Sequence, residues 1–95
     1  MVEVVLTIFQ EQELRLLSAG LRMADTYCNL AETHSLPGHR ADKQRVLQKA
    51  RRELAIVRQR LMANPYGLSS RAGSTLSSRI ERVQQRIDSL HDKAA

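Results

Sequence analysis

The chain has 95 residues, of which 42% are hydrophobic and 26% are charged, and its formal net charge is +5. This length makes one domain, the apolar content is enough for a modest core, and the charged fraction argues against wholesale disorder. With no tryptophan, one phenylalanine, four glycines and two prolines, the composition excludes a turn-rich β-sandwich and predicts an all-α protein with an aliphatic core.

The cysteine content and the hydropathy pattern bear on location. Cys28 is the only cysteine, so an internal disulfide is excluded and a reducing compartment is favoured. The apolar start of the chain is short, contains Glu3 and has no basic residue before it, which is unlike a secretory signal. No apolar run approaches the roughly 20 residues that span a bilayer. We therefore expect a cytoplasmic protein without a membrane partner, of a kind that bacteria and phages encode.

The first residues of the chain, 2–6, have an ambiguous pattern. Val2, Glu3 and Val4 alternate, and β-branched residues favour a strand. The rest of the chain offers no second strand as a partner. The segment therefore predicts either a strand that pairs across a dimer or an irregular arm that covers the end of a bundle.

The first predicted helix covers residues 8–35, with a capping box formed by Thr7 and Gln10. It carries two apolar stripes at helical spacing, which together cover about 200° of its circumference. Such a helix must bury two sides, either as the central helix or against another chain. The first stripe consists of Leu14, Leu17, Leu21, Ala24, Cys28 and Ala31, and the second of Leu16, Met23, Tyr27 and Leu30.

The second predicted helix covers residues 41–63 and follows a break that contains Pro37 and Gly38. Its apolar residues form one narrow stripe, whose members are Leu47, Ala50, Leu54, Val57 and Leu61. Ile56 lies far from this stripe, so it is either a singly exposed apolar residue or part of a second contact.

The third predicted helix covers residues 75–92, with a capping box at Ser78 and Glu81. Its narrow seam consists of Leu76, Ile80, Val83, Ile87 and Leu90.

The short link between the first two helices makes them antiparallel neighbours. We therefore expect a single domain, 1–95, that forms a small three-helix bundle on a helical hairpin. The alternative is an extended hairpin whose third helix pairs with another chain.

The positive charge is concentrated in residues 36–64, which hold eight basic and two acidic residues. This concentration indicates an anionic partner or an acidic neighbouring surface, such as the acidic first helix. No aromatic residues interleave with the basic ones to stack on bases. Nucleic-acid binding is the alternative function, and its predicted basic face consists of Arg45, Lys49, Arg51, Arg52, Arg58 and Arg60.

Catalytic and metal-binding patterns find little support in the sequence. Cys28, His34 and His39 lack the paired spacing of a metal site, and Cys28 lies on an apolar stripe, where it is expected to be a small buried residue. No nucleophile elbow or phosphate loop is present. We therefore expect a protein that is not an enzyme and uses no cofactor and no metal.

The helices have apolar residues outside the stripes that are expected to form the core, and the main functional prediction is based on them. A broad apolar arc on the first helix favours a protein-interaction module, such as an adaptor, chaperone or inhibitor, that works as a homo-oligomer. A second break, Asn64 to Gly67, separates the second and third predicted helices, and Tyr66 within it is either an anchor for the partner or a cap on the bundle. The predicted apolar and loop contacts are Leu16, Met23, Tyr27, Ile56 and Tyr66.

Overall fold

A computed structural model of the chain describes residues 2–33 and 40–92, and these residues form three helices and no strand. Helix α1 covers Val2–Thr33, α2 covers Arg40–Ala63 and α3 covers Ser70–Asp92. Each helix packs against the other two, which confirms the all-α three-helix bundle. The extended hairpin is wrong, because α3 packs on both partners within the same chain.

The bundle is elongated, with extents of 58 × 17 × 16 Å, and its helices alternate in direction. Glu13 near the start of α1 meets Arg60 near the end of α2, so these two helices are antiparallel. Ser18 and Asp25 of α1 meet Arg79 and Arg86 of α3 in the same order, so α1 and α3 are parallel.

The predicted apolar stripes form the core, as their helical spacing indicates. The first stripe of α1, the stripe of α2 and the seam of α3 meet along the bundle axis and are buried or packed on the buried cluster. The fully buried members with the largest side chains are Leu17, Leu21, Leu47, Leu54, Ile87 and Cys28.

The beginning of α1 corrects the sequence prediction. Residues 2–6 are helical, neither strand nor irregular arm, and the helix begins at Val2 instead of residue 8. Without a second strand to pair with, β-branched residues gain more by propagating an existing helix, since each added residue contributes one backbone hydrogen bond. Thr7 consequently lies inside α1, so it is not the N-cap that its spacing from Gln10 predicted.

The beginning of α3 also differs from the prediction, because the helix starts at Ser70 and not near residue 75. Ser69 is the N-cap: its Oγ accepts a hydrogen bond from the amide of Ala72 at 3.2 Å. Ser78 and Glu81, the predicted capping box, lie in the helix interior.

The connection between α2 and α3 is a tight six-residue link. Asn64, the first residue after α2, has a φ of 42°, and the amide of Gly67 donates to its carbonyl oxygen at 3.1 Å in a turn that contains Pro65. The Asn64 side chain then accepts a hydrogen bond from the amide of Leu68 at 2.7 Å. The link is therefore shorter than the stretch 64–74 that separates the second and third predicted helices.

The predicted end of the first helix at residue 35 and the break at 36–39 lie outside the described residues. None of the three helices, over the part of the chain that the structure describes, has a stretch long and apolar enough to cross a membrane.

Candidate functional site

An apolar groove runs between α1 and α2 on the side of the bundle away from α3. Leu16 and Met23 of α1 form one wall and Ile56 of α2 forms the other, and their exposed fractions are 57%, 46% and 54%. The groove has a volume of about 270 Å³. We call it the α1/α2 groove.

The α1 wall of this groove belongs to a longer stripe of exposed apolar side chains. Phe9, Leu16, Met23 and Leu30 recur every seven residues and are between 42% and 57% exposed. Seven residues are close to two helical turns, so these side chains lie along one face of α1, separate from the face that enters the core. The chain from Phe9 to Leu30 covers about 32 Å of helix.

The floor of the α1/α2 groove is set by a close approach of the two helices at Gly20. A Cβ atom at this position would lie 2.6 Å from Cγ2 of Val57. Only a residue without a side chain allows this distance, so Gly20 lets the Val57 side chain pack directly on the backbone of α1 at the floor of the groove.

Charged side chains form the rim of the groove. Arg60 binds the buried carboxylate of Glu13 through two bonds, Nε to Oε1 at 2.6 Å and Nη2 to Oε2 at 2.9 Å. The hydrogen bond and the charge of Glu13 raise the pKa of Arg60 above its ordinary value. Glu53 contributes the opposite charge to the same rim. The groove therefore combines an apolar floor with charges of both signs at its edge.

The structure brings together three of the five predicted apolar contacts. Leu16, Met23 and Ile56 line one groove, so Ile56 is exposed beside two other apolar side chains and not singly. Tyr27 lies apart from the groove lining and packs, half-buried, against the core. Tyr66 stacks on Phe9, with ring centroids 5.3 Å apart and planes at 14°, so its ring packs at the end of the bundle.

Gln10 completes the contact between α1 and the loop that contains Tyr66. Its Nε2 donates to the carbonyl oxygen of Tyr66 at 2.9 Å and to that of Gly67 at 3.2 Å. The loop is therefore fixed to α1 at residues 9 and 10, and the part of α1 before them extends past the end of the bundle.

This extension, residues 4–8, is a second apolar surface that sequence reasoning missed. We call it the N-terminal overhang, and its exposed apolar side chains are Val4, Val5, Leu6 and Ile8. The signal was present as an apolar run that does not follow the spacing of the core stripe. The run was predicted to be a strand or an arm, but in the structure it continues the exposed apolar stripe of α1.

The predicted basic face of α2 is not one surface. Counted at 100° per residue from the core stripe, the six predicted side chains fall on the α1 side, the α3 side and the outer side of the helix. Arg58 meets Gln84 at 3.2 Å and Glu81 at 3.8 Å, and Arg45 pairs with Asp42 at 3.3 Å. With Arg60 on Glu13, half of the predicted set therefore has partners within the chain.

The acidic residues of α1 follow the expected pairing with α2 only in part. Glu13 pairs with Arg60, but Asp25 and Glu32 both pair with Arg86 of α3 at 3.1 Å. Burial alone would lower the pKa of Arg86, but its hydrogen bonds to these two carboxylates outweigh that effect and raise the pKa. The positive charge of α2 is thus less compensated than the sequence predicted, and that of α3 more.

Cys28 is buried in the core, as its position on the apolar stripe predicted. Burial raises the pKa of its thiol, against the lowering effect of the nearby Arg86. Within residues 2–33 and 40–92, no group of three or more histidine, cysteine, aspartate or glutamate side chains is arranged so that it could hold a metal ion. His34 and His39 lie outside this part of the chain.

Comparison of the chain with protein-family models, with curated proteins and with solved structures finds no match.

Proposed function

We propose that this chain is a small non-enzymatic protein-interaction module, an adaptor, chaperone or inhibitor, that binds a partner helix in the α1/α2 groove. The observation that carries the proposal is the exposed heptad stripe of α1, on the face next to the one that builds the core. A side-chain repeat of seven residues is the pattern by which two helices pack against each other.

The chemistry of the groove specifies the partner further. Leu16, Met23 and Ile56 offer an apolar surface without a deep closed cavity, which suits the apolar face of an amphipathic helix. Methionine adapts to partner side chains of different shape. Glu53 and Arg60 at the rim favour a partner that carries charges of both signs beside its apolar residues.

We also propose that the chain forms a homo-oligomer, as the sequence predicts. The N-terminal overhang supports this, because its apolar side chains lie on a helix end outside the bundle. A second copy that covers them would remove their apolar surface from water, which is favourable. The nucleic-acid function of the α2 basic residues stays a prediction.

Site-specific photocrosslinking tests the groove. A benzoylphenylalanine at Met23 is compared with one at Gln85, which is exposed on the outer side of α3. We expect a discrete adduct, either a dimer of the chain or one partner, from position 23 and not from position 85. The adduct should disappear when Leu16→Glu is added, while circular dichroism shows unchanged helicity. Equal adducts from both positions, or an adduct that survives Leu16→Glu, contradict the proposal.

Sedimentation equilibrium tests self-association, with the mass recorded over a roughly hundredfold range of concentration. A homo-oligomer has a mass that is a multiple of 10.8 kDa at the higher concentrations. A mass of one chain throughout contradicts the homo-oligomer and leaves the groove to a different protein.

A further inference from the structure

The groove between α1 and α3 has a different character from the α1/α2 groove, because arginines line it. Two adjoining hollows follow this groove, and Arg79 lines both of them. Arg82 lies in the hollow nearer the middle of α3, and Arg71 lies in the hollow nearer its N-terminus, beside the hydroxyl of Thr75. The three arginines therefore follow one side of α3.

The α1 side of the same groove adds two further basic residues. Ser18 accepts a hydrogen bond from Nη1 of Arg79 at 3.3 Å, which places it opposite the middle of the α3 row. Arg15 and Arg22 lie about one turn before and after Ser18, so they stand on the same face of α1. Both are exposed. We call the five residues together, Arg15, Arg22, Arg71, Arg79 and Arg82, the arginine groove.

The charge of the arginine groove is not neutralised within the described part of the chain. None of its five guanidinium groups makes an ion pair with a described residue. The nearby carboxylates of Asp25 and Glu32 are held by Arg86, further along α3. Glu11, one turn before Arg15, is the remaining acidic residue on this face of α1. Asp25 lines the hollow of Arg79 and Arg82 and shares Arg86 with Glu32, so these two carboxylates leave one negative charge uncompensated. Together with Glu11, two negative charges therefore face the five positive ones.

We propose that the arginine groove binds the phosphate backbone of a nucleic-acid duplex. The planar guanidinium group matches phosphate oxygens with two parallel hydrogen bonds. Arg71 and Arg82 are eleven residues apart, about 16 Å along the helix, which equals about five nucleotide steps of one strand in a duplex. Ser18 accepts from Arg79 and so keeps its hydroxyl hydrogen to donate to a phosphate oxygen. The Thr75 hydroxyl instead donates to the backbone carbonyl oxygen of Arg71 at 3.0 Å.

The surroundings of the groove favour the duplex backbone over other polyanions. No aromatic side chain lines either hollow, so the stacking that holds single-stranded bases is absent from these linings. The apolar residues that line it, such as Leu21, Leu76 and Val83, are buried in the core. They cannot enter a lipid surface, which an anchoring helix does with exposed apolar side chains. The site is also separate from the predicted basic residues on the outer side of α2.

Two triple variants with equal charge loss test the proposal. Arg15→Gln, Arg71→Gln and Arg82→Gln together remove exposed charges from the arginine groove. Arg45→Gln, Lys49→Gln and Arg52→Gln remove the same charge from exposed positions of α2. Both are titrated into a fluorescein-labelled random-sequence DNA duplex, and anisotropy is recorded at several salt concentrations. Circular dichroism checks that each variant keeps its helicity.

We expect the groove variant to bind roughly tenfold or more weakly at low salt. Its slope of log K against log salt should be shallower by about 2.7, which is about 0.9 for each phosphate that the variant no longer neutralises. The α2 variant should keep the slope of the unmodified chain. The proposal is overturned if the unmodified chain does not bind the duplex, or if both variants weaken equally, which indicates net charge alone. Stronger loss in the α2 variant, or binding to phosphatidylserine vesicles without binding to the duplex, also overturns it.

Discussion

Arg60 of α2 holds both oxygens of the Glu13 carboxylate, which is buried beside the core of α1, at 2.6 and 2.9 Å. The arginine itself remains in partial contact with solvent, so the pair stands at the edge of the α1/α2 groove and ties α1 to the last turn of α2. Two-point bonding between charged groups is stronger and more directional than a single hydrogen bond.

Arg60→Met should destabilise the bundle because it leaves the Glu13 carboxylate buried without its partner. We expect the melting temperature to fall by roughly 10 °C. Glu13→Met with Arg60→Met should recover most of this loss, because a pair of apolar side chains leaves no buried charge. Thermal unfolding followed by circular dichroism measures both. The control is Arg52→Met, an exposed arginine on the outer side of α2, which should melt like the unmodified chain. Equal melting of Arg60→Met and the control would show that the pair contributes nothing.

Gly20→Ala should destabilise the bundle although alanine favours helices. The new Cβ would stand 2.6 Å from Cγ2 of Val57, whose branched side chain has little freedom to rotate away. Overpacking costs about 1–3 kcal/mol and helix propensity returns about 1 kcal/mol, so we expect a net loss of about 1 kcal/mol in the free energy of unfolding. Urea unfolding at one temperature measures it.

Gly73 in α3 is the matched control for Gly20. A Cβ there meets nothing within 4 Å, so Gly73→Ala should gain about 0.5–1 kcal/mol in the free energy of unfolding from helix propensity alone. The two glycine substitutions should therefore act in opposite directions. If both stabilise the protein by the same amount, the close approach of α1 and α2 at Gly20 is not a constraint on packing.

The burial of Cys28 predicts how stability depends on pH. Burial raises the thiol pKa above its ordinary value of 9.0, with Arg86 opposing and Asp25 and Glu32 adding to the effect. The folded state therefore favours the neutral thiol. The contribution of the Cys28 thiol to the free energy of unfolding is fully present below the thiol pKa in the unfolded chain. It is lost as the pH rises through the higher thiol pKa in the folded chain.

Urea unfolding of the unmodified chain and of Cys28→Ala, at neutral pH and above pH 9.0, measures this contribution. The variant is expected to be less stable at neutral pH because it leaves a small cavity. The difference between the two proteins should shrink at the higher pH, since only the unmodified chain has a thiol to ionise. The other titratable groups are the same in both proteins, so their contributions cancel in the comparison. A difference that is constant with pH would contradict the prediction.

The core could be predicted from the sequence because each helix repeats its apolar residues every three or four positions. That spacing determines which side of a helix is buried, whatever the helix packs against. The sequence could not show how the three helices are rotated about one another. The pairing of Asp25 and Glu32 with Arg86 instead of α2 depends on that arrangement, and so does the convergence of Arg71, Arg79 and Arg82 on α1.

The residues that line the α1/α2 groove could be predicted from the sequence, but their arrangement in space could not. Leu16 and Met23 lie off the core stripe of α1 and Ile56 lies off that of α2, so each is marked in the sequence as a residue without a place in the core. Their approach depends on Gly20, whose role appears only when the distance to Val57 is known. Residues 2–6 show the opposite case, where local β propensity was outweighed by the continuity of a long helix.

The N-terminal overhang leads to a prediction that separates folding from association. Val5 and Ile8 are exposed beyond the point where Phe9 and Gln10 fix α1 to the loop, so their replacement by glutamate leaves the core unchanged. Glutamate is also a better helix former than valine or isoleucine, and a negative charge in the first turns of a helix is favoured by its dipole. We therefore expect the Val5→Glu, Ile8→Glu variant to melt at the same temperature as the unmodified chain or slightly above it, when both are measured at a concentration where they are monomeric.

The same variant should lose the part of self-association that the overhang supports. Sedimentation equilibrium at high concentration should show a mass closer to one chain, and binding of a hydrophobic dye should decrease because two apolar side chains are gone. Gln12→Glu with Thr26→Glu is the control, since it adds the same two carboxylates to exposed polar positions of α1. Dissociation by both variants alike would attribute the effect to charge. A clear fall in the melting temperature of the overhang variant would show that residues 4–8 are part of the packed bundle, and the overhang would then be no surface for a second copy.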